Sequence, residues 1–330
     1  MKGTTMPITS VTQDTDDLTM TVVAEFPVPV RRLWDAYADP RQLEKFWGPV
    51  EWPATFTRHD MTVGGESHYV MTGPDGEASA GYWRFLSVDE GKGFEVEDGF
   101  AAEPGVPNTD LPSMRMSFAF EATADGSRVT TTTWFGSLED LEQLIATGME
   151  EGMTSAMGQM DDVLADLTSW AAGTGTLTQI LDDTHVRMSR VVRGPFDLVW
   201  RAHVEPELMR RWMLGPDGWT MPVCEMGTEA GDTYRYEWEQ DDGEGRFGFE
   251  GELLEVRAPF RAVTTERMIG MAGEGTVNEL TLTPVAGGTL VATVITYPNA
   301  ELRDTILGTG MAGGMEMSYA RLESEILAGA

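Results

Sequence analysis

Four histidines, His59, His68, His185 and His203, and one cysteine, Cys224, are the residues of this 330-residue chain best suited to metal binding or nucleophilic chemistry. A metal site needs ligands at fixed spacing on one helix or hairpin, and no two of these histidines have it. A cysteine nucleophile needs a base beside it, and Cys224 has none close in sequence. No G-x-S-x-G elbow, Walker-type loop or dinucleotide fingerprint occurs in strand-to-helix context. These patterns predict no metal, no cofactor and no catalytic residue of a common class.

Residues suited to holding a ligand are more numerous. In SHYVM, strand alternation sets His68 on one face with Val70, and in TYRYEW it sets Tyr234, Tyr236 and Trp238 together. A histidine or tyrosine tip inside an apolar hollow can orient a ligand or pass a proton. MRMSFAF puts Met116 and Phe118 on one face, and the related strand later in the chain carries Asn278 and Leu280. The strands that follow present Thr131 and Thr133 in one case and Thr293 in the other. Trp47, Trp212 and Trp219 lie where helical segments hand over to strands, and are expected to gate such a hollow.

Two short runs sharpen this expectation. TGMEEGM contains Met149, Gly152 and Met153, and TGMAGGM contains Met311, Gly314 and Met315, each inside a stretch with helical apolar spacing. A glycine in a helix interior costs about 1 kcal/mol relative to alanine. A cavity beside the helix would account for that cost, because glycine leaves room and methionine lines it with adaptable apolar surface; close contact with the sheet or a bend in the helix is the alternative account.

The elements that must position these residues occur twice. PVRRLWDAYADPRQLEKFW (29–47) falls onto PFDLVWRAHVEPELMRRWM (195–213), and GGESHYVM (64–71) onto AGDTYRYE (230–237). So long a period is a duplicated domain rather than a solenoid unit. Each copy reads as an opening strand, short helices broken at a proline, a series of strands separated by turn sequences such as GPDG and AGGT, and one long amphipathic helix. The division predicted is an N-terminal tail (1–15), a first domain (16–167), a linker rich in Gly, Thr and Ala (168–184) and a second domain (185–330). A stripe-bearing helix after a meander of strands must bury its stripe on a sheet face, which predicts an α+β fold with a curved antiparallel sheet around the terminal helix.

Composition narrows the setting. The formal charge of −31 repels phosphate backbones and anionic lipid surfaces, so neither nucleic acid nor a membrane is an expected partner. With one cysteine and no signal-like or membrane-length apolar run, the sequence reads as that of a cytoplasmic protein. Salt-adapted cytoplasm also selects such an acidic surface.

Through VWRAHVEPELMRRWMLGPDGWTMPVCEM (199–226), GDTYRYEWE (231–239) and TGMAGGMEMSYARLESEIL (309–327), the chain resembles the SRPBCC (START-like, helix-grip) superfamily. Within it, the chain is similar to the bacterial branch named after the activator of the heat-shock-protein ATPase, the co-chaperone of the ninety-kilodalton protein. LWDAYADPRQLEKFWGP and TGMEEGMTSAMGQMDDVLA carry the same pattern in the first copy. The resemblance implies tandem helix-grip domains, each with an apolar cavity between sheet and helix. It brings no catalytic motif. The leading expectation is therefore that one or both domains bind a small apolar or amphipathic molecule without identifiable catalysis. The alternatives are a polyketide cyclase or aromatase, which would draw on His68, Tyr234 and Tyr236, and a chaperone-partner stress protein. The eukaryotic co-chaperone owes ATPase stimulation largely to an additional N-terminal domain with no counterpart in this sequence, which weighs against the last.

Overall fold

A computed structural model describes residues 7–103, 105–146, 148–165, 175–271, 273–285 and 287–328, and the chain divides into two compact units, Met1–Trp170 and Ala171–Ala330. In the first, strands β1 (Ile8–Asp14) and β2 (Thr19–Phe26) precede the short helices α1 (Val30–Ala38) and α2 (Pro40–Leu43). Then come β3 (Ala54–His59), β4 (Glu66–Thr72), β5 (Ala78–Asp89), β6 (Gly93–Glu103), β7 (Val106–Pro107), β8 (Met114–Ala122) and β9 (Ser127–Trp134). Helices α3 (Leu138–Ala146) and α4 (Met149–Ala165) close the unit. The sheet is antiparallel, in the order β1-β2-β9-β8-β6-β5-β4-β3, with β7 added to β6.

The second unit repeats this plan. It has β10 (Leu177–Ile180), β11 (His185–Val192), α5 (Phe196–Val204), α6 (Pro206–Trp212), β12 (Trp219–Glu225), β13 (Thr233–Gln240) and β14 (Arg246–Arg257). They are followed by β15 (Arg261–Met268), β16 (Thr276–Val285), β17 (Gly288–Thr296), α7 (Ala300–Leu307) and α8 (Met311–Leu322), which ends in a π-helical turn at Glu323–Leu327. The strand order is β10-β11-β17-β16-β15-β14-β13-β12. This is the α+β architecture that the sequence pattern predicts and the tandem helix-grip arrangement that the resemblance implies.

The local causes are plain. In β2 the alternation of Met20, Val22, Ala24 and Phe26 puts four nearly inaccessible side chains on the face toward α4. Asp39 separates the two short helices, its side chain accepting from the Arg41 backbone N–H at 3.0 Å while Pro40 opens α2. Helix α4 contributes Met157, Met160, Val163 and Leu164 to the core, against Trp34 and the Phe94, Phe118 and Phe120 rings of the sheet. Each fully buried side chain of this kind contributes roughly 1.5–3 kcal/mol.

Three features differ from the sequence-based expectation. Ile8–Asp14, placed in a tail, is the edge strand β1 paired with β2 from Ile8 to Asp14. Within the expected linker, residues 168–174 lie outside the described residues, but Leu177–Ile180 is strand β10, paired with β11. Finally, the long terminal helix is two helices in each copy. Gly148 (φ 88°) and Gly310 (φ 84°) stand in the left-handed region between α3 and α4 and between α7 and α8, where a side chain would be strained.

Candidate functional site

In the first unit, a cavity of about 280 Å³ opens between the sheet and the beginning of α4. That is roughly twice the ~150 Å³ of an apolar cavity known to take up benzene. Helix α4 supplies Met149, Gly152, Met153, Ala156 and Met157, with Gly148 just before it. The sheet supplies Met114, Met116 and Phe118 from β8, Tyr69 and Met71 from β4, and Asp98, Gly99 and Phe100 from β6. Tyr37, Phe46, Trp47 and Pro49 complete the wall from the helical side. A Cβ added at Gly152 would meet nothing within 4 Å, so this glycine borders open volume.

Among the described residues, one charged side chain lines this space. Asp98 follows Phe94 and Val96 on the inner face of β6, and burial pushes its carboxyl up to about 6, while the hydrogen bond from Tyr69 pulls it the other way. The Tyr69 hydroxyl donates to Asp98 Oδ1 at 3.3 Å. Tyr69 reaches that position because its cross-strand neighbour is Gly81, where a Cβ would come within 2.4 Å of the tyrosine ring. Burial and the neighbouring Asp98 hold the Tyr69 hydroxyl well above its usual range, and burial does the same for Tyr37. Among the described residues, no arginine, lysine or histidine pairs with Asp98.

The expected site residues sort accordingly. Trp47, Met116, Phe118, Met149, Gly152 and Met153 line the cavity. His68 and Val70 do not: they occupy the outer face of β4, because Ser67, Tyr69 and Met71 point inward. With a two-residue side-chain period, assigning the wrong face moves every residue of a strand. His68 Nε2 lies 3.1 Å from Glu66 Oε2. Thr131 and Thr133 are fully buried on the inner face of β9, beside Phe118 and Met116, but outside the cavity wall. Their hydroxyls find no partner among the described residues.

The second unit treats its inner face differently. Tyr234, Tyr236 and Trp238 point inward from β13, as alternation requires, and each polar tip is engaged. Tyr234 donates to the Thr265 carbonyl at 2.9 Å and lies 3.3 Å from Glu266 Oε2. The Tyr236 hydroxyl contacts the Met226 sulfur, and the Trp238 indole N–H donates to the Met213 carbonyl at 2.6 Å. Trp212 is no gate. It is a core residue, its indole N–H bonded to the Ala202 carbonyl at 2.8 Å and its ring stacked on Tyr319. Trp219 is half-buried, edge-on to Phe247. Asn278 accepts from the Thr276 hydroxyl; Leu280, Met311 and Met315 pack on core clusters, and Thr293 stands opposite Met188 and Leu280 in the sheet. A Cβ at Gly314 would meet nothing within 4 Å.

Alternation could have found Asp98, since a lone acid in register with Phe94 and Val96 sits on an apolar face. The second unit repeats the feature. Phe85 pairs with Val96 as Leu253 pairs with Thr264, each at a bulge, so Asp98 and Glu266, two residues on, occupy equivalent positions. Burial raises the Glu266 carboxyl against the hydrogen bond from Tyr234. The histidines, by contrast, are engaged locally: His59 with Ser67, His185 with Asp182, and His203 with the Val199 carbonyl.

Residues 27–165 and 193–326 each match the model of a family described as activator of Hsp90 ATPase homolog 1-like protein. Among solved structures, a protein from Mycobacterium smegmatis is 49% identical over 48% of this chain and 97% of its own, with a TM-score of 0.45. A protein from Arthrobacter aurescens is 42% identical over 48% of this chain and 92% of its own, with a TM-score of 0.46. No curated protein matches the chain. Among the described residues, no helix is long and apolar enough to cross a membrane.

Proposed function

The chain belongs to the activator of Hsp90 ATPase homolog 1-like family, and from that premise we propose that its first domain binds a small amphipathic molecule in the methionine-lined cavity. The observation that carries this reading is the wall itself: thioethers and aromatic rings surround about 280 Å³, with one carboxyl–tyrosine pair at the edge. Such a wall favours apolar bodies of varied shape, because methionine side chains repack at little cost. A few convergent polar atoms then fix orientation.

Native mass spectrometry of protein from its own host is the direct test, with a retained small molecule as the expected result. Gly152→Leu assigns it to this cavity. The new side chain enters open volume and removes an interior glycine, so the melting temperature holds or rises slightly while the retained molecule is lost. A destabilised variant that still carries the molecule would sink the assignment.

Two other readings have narrower support. The description of the matched family favours a chaperone partner, tested by adding the chain to an Hsp90 ATPase assay and looking for stimulation. A cyclase-like activity loses His68 to the outer face and would have to rest on Asp98 and Tyr69.

A further inference from the structure

The geometry points to a ligand with a protonated amine head: an apolar chain or ring enters the first domain's cavity and its ammonium group settles against Asp98. This rests on the reading of the cavity as a binding site. Three observations carry it.

The first is the carboxyl's company. Asp98 is nine-tenths buried at the cavity wall, and among the described residues the donor that reaches it is the neutral Tyr69 hydroxyl. A carboxyl withdrawn from water without a cation gains most from a ligand that brings one. The buried Asp39, by contrast, has Arg41 at 2.8 Å.

The second is the wall around it. The ring faces of Trp47, Tyr69 and Phe118 and the sulfurs of Met114 and Met116 can accept a cation, and among the described residues no positive side chain lines the cavity to oppose one. A fatty acid or any other anionic amphiphile would set its charge against Asp98 inside a low-dielectric space. The third is the long-range field. A net charge of −31 draws cations toward the surface and repels anions before contact is made.

The experiment uses the full chain and four defined molecules. Nile red, neutral and apolar, reports occupancy by fluorescence, and n-octylamine, n-octanol and n-octanoate compete with it. Gly152→Leu establishes how much of the Nile red signal belongs to this cavity. Octylamine is expected to displace that portion at a concentration at least tenfold below octanol, with octanoate weakest. In Asp98→Asn, whose folding is checked by circular dichroism, the advantage of the amine over the alcohol should disappear. Equal competition by amine and alcohol on the unaltered chain would overturn the inference and leave the cavity as a neutral binding site. So would an amine advantage that survives in Asp98→Asn. Failure of Nile red and all three competitors to bind would overturn the cavity reading itself, and this inference with it.

Discussion

The two domains lay the same strands around the same helices and fill the space between them with opposite chemistry. In the first, Ala24 of β2 lies beneath α4, and Met157 stands toward the cavity. In the second, the position equivalent to Ala24 is Arg190, since Phe26 pairs with Ser127 as Val192 pairs with Thr289. Arg190 bridges Glu316 on α8 and Glu323 just beyond it, the latter at 2.9 Å. Tyr319, which lies as far beyond Gly310 as Met157 lies beyond Gly148, stacks on Trp212 at 5.6 Å. The backbone therefore does not dictate which side chains meet beneath the helix; the residues along one helix and one strand decide it. What both interiors retain is an inward carboxyl, Asp98 or Glu266, with a tyrosine hydroxyl 3.3 Å away.

The contrast can be broken most forcefully at the aromatic stack of the second domain. Trp212→Ala removes a buried ring and orphans the Ala202 carbonyl, at a cost of about 3–5 kcal/mol. Urea unfolding followed by calorimetry should show one of two transitions weakened and the other in place. Loss of both together would mean that the domains do not unfold as separate units.

Asp98→Asn tests the first domain with the opposite sign. The carboxyl titrates at about 6 in the folded chain against an ordinary 3.8. The folded state thus holds the proton more tightly, and stability falls as pH rises from about 4 through about 6. Asparagine removes that loss, so the variant should be more stable at pH 7.5, by up to about 3 kcal/mol, and equal to the parent near pH 4. Asp39 does not blur the window. Although burial opposes it, Arg41 holds its carboxyl below the usual range, so its contribution is lost only under more acidic conditions. An equal effect of Asp98→Asn at both pH values would refute the titration.

The smallest expected change is Arg190→Met, which makes the second domain resemble the first. Both glutamates are partly exposed and can return to water, so the loss is about 2 kcal/mol rather than the full cost of breaking a buried pair. Burial raises the Glu316 carboxyl, but Arg190 and the Thr176 N–H outweigh it and keep it below the usual range. Its stabilisation therefore fades as pH drops through the acidic range, and the variant should show a flatter acid limb in a melting-temperature profile. An unchanged limb would show that the arginine acts through packing alone.

How far the sequence reveals all this depends on how much each pattern constrains. Met20, Val22, Ala24 and Phe26 alternate with Thr19, Thr21, Val23 and Glu25, of which only Val23 is apolar, which leaves one inward face, and the structure has it. In SHYVM both faces carry bulky or amphipathic side chains, so alternation does not choose between His68 and Tyr69; the choice is made by Gly81 on the next strand, which gives the tyrosine ring room. Helical periodicity runs across Gly148 and Gly310 without interruption, although the backbone there turns left-handed. Asp98 and Glu266 are hidden for a different reason. An acid in a strand ordinarily marks the solvent face, and only their register with Phe94 and Val96, or with Ala262 and Thr264, betrays the inward turn.

The pairing of Ile8–Asp14 with β2 and of Leu177–Ile180 with β11 bears on how the two halves can be handled separately. Fragments trimmed at 16 and at 185, where the repeat pattern alone would cut, lose a strand each and leave the backbone donors and acceptors of β2 and β11 facing solvent along one side. Such bare edges pair with other chains. Fragments that begin at Pro7 and Gly175 keep those edges covered, and with them the solubility that the acidic surface provides.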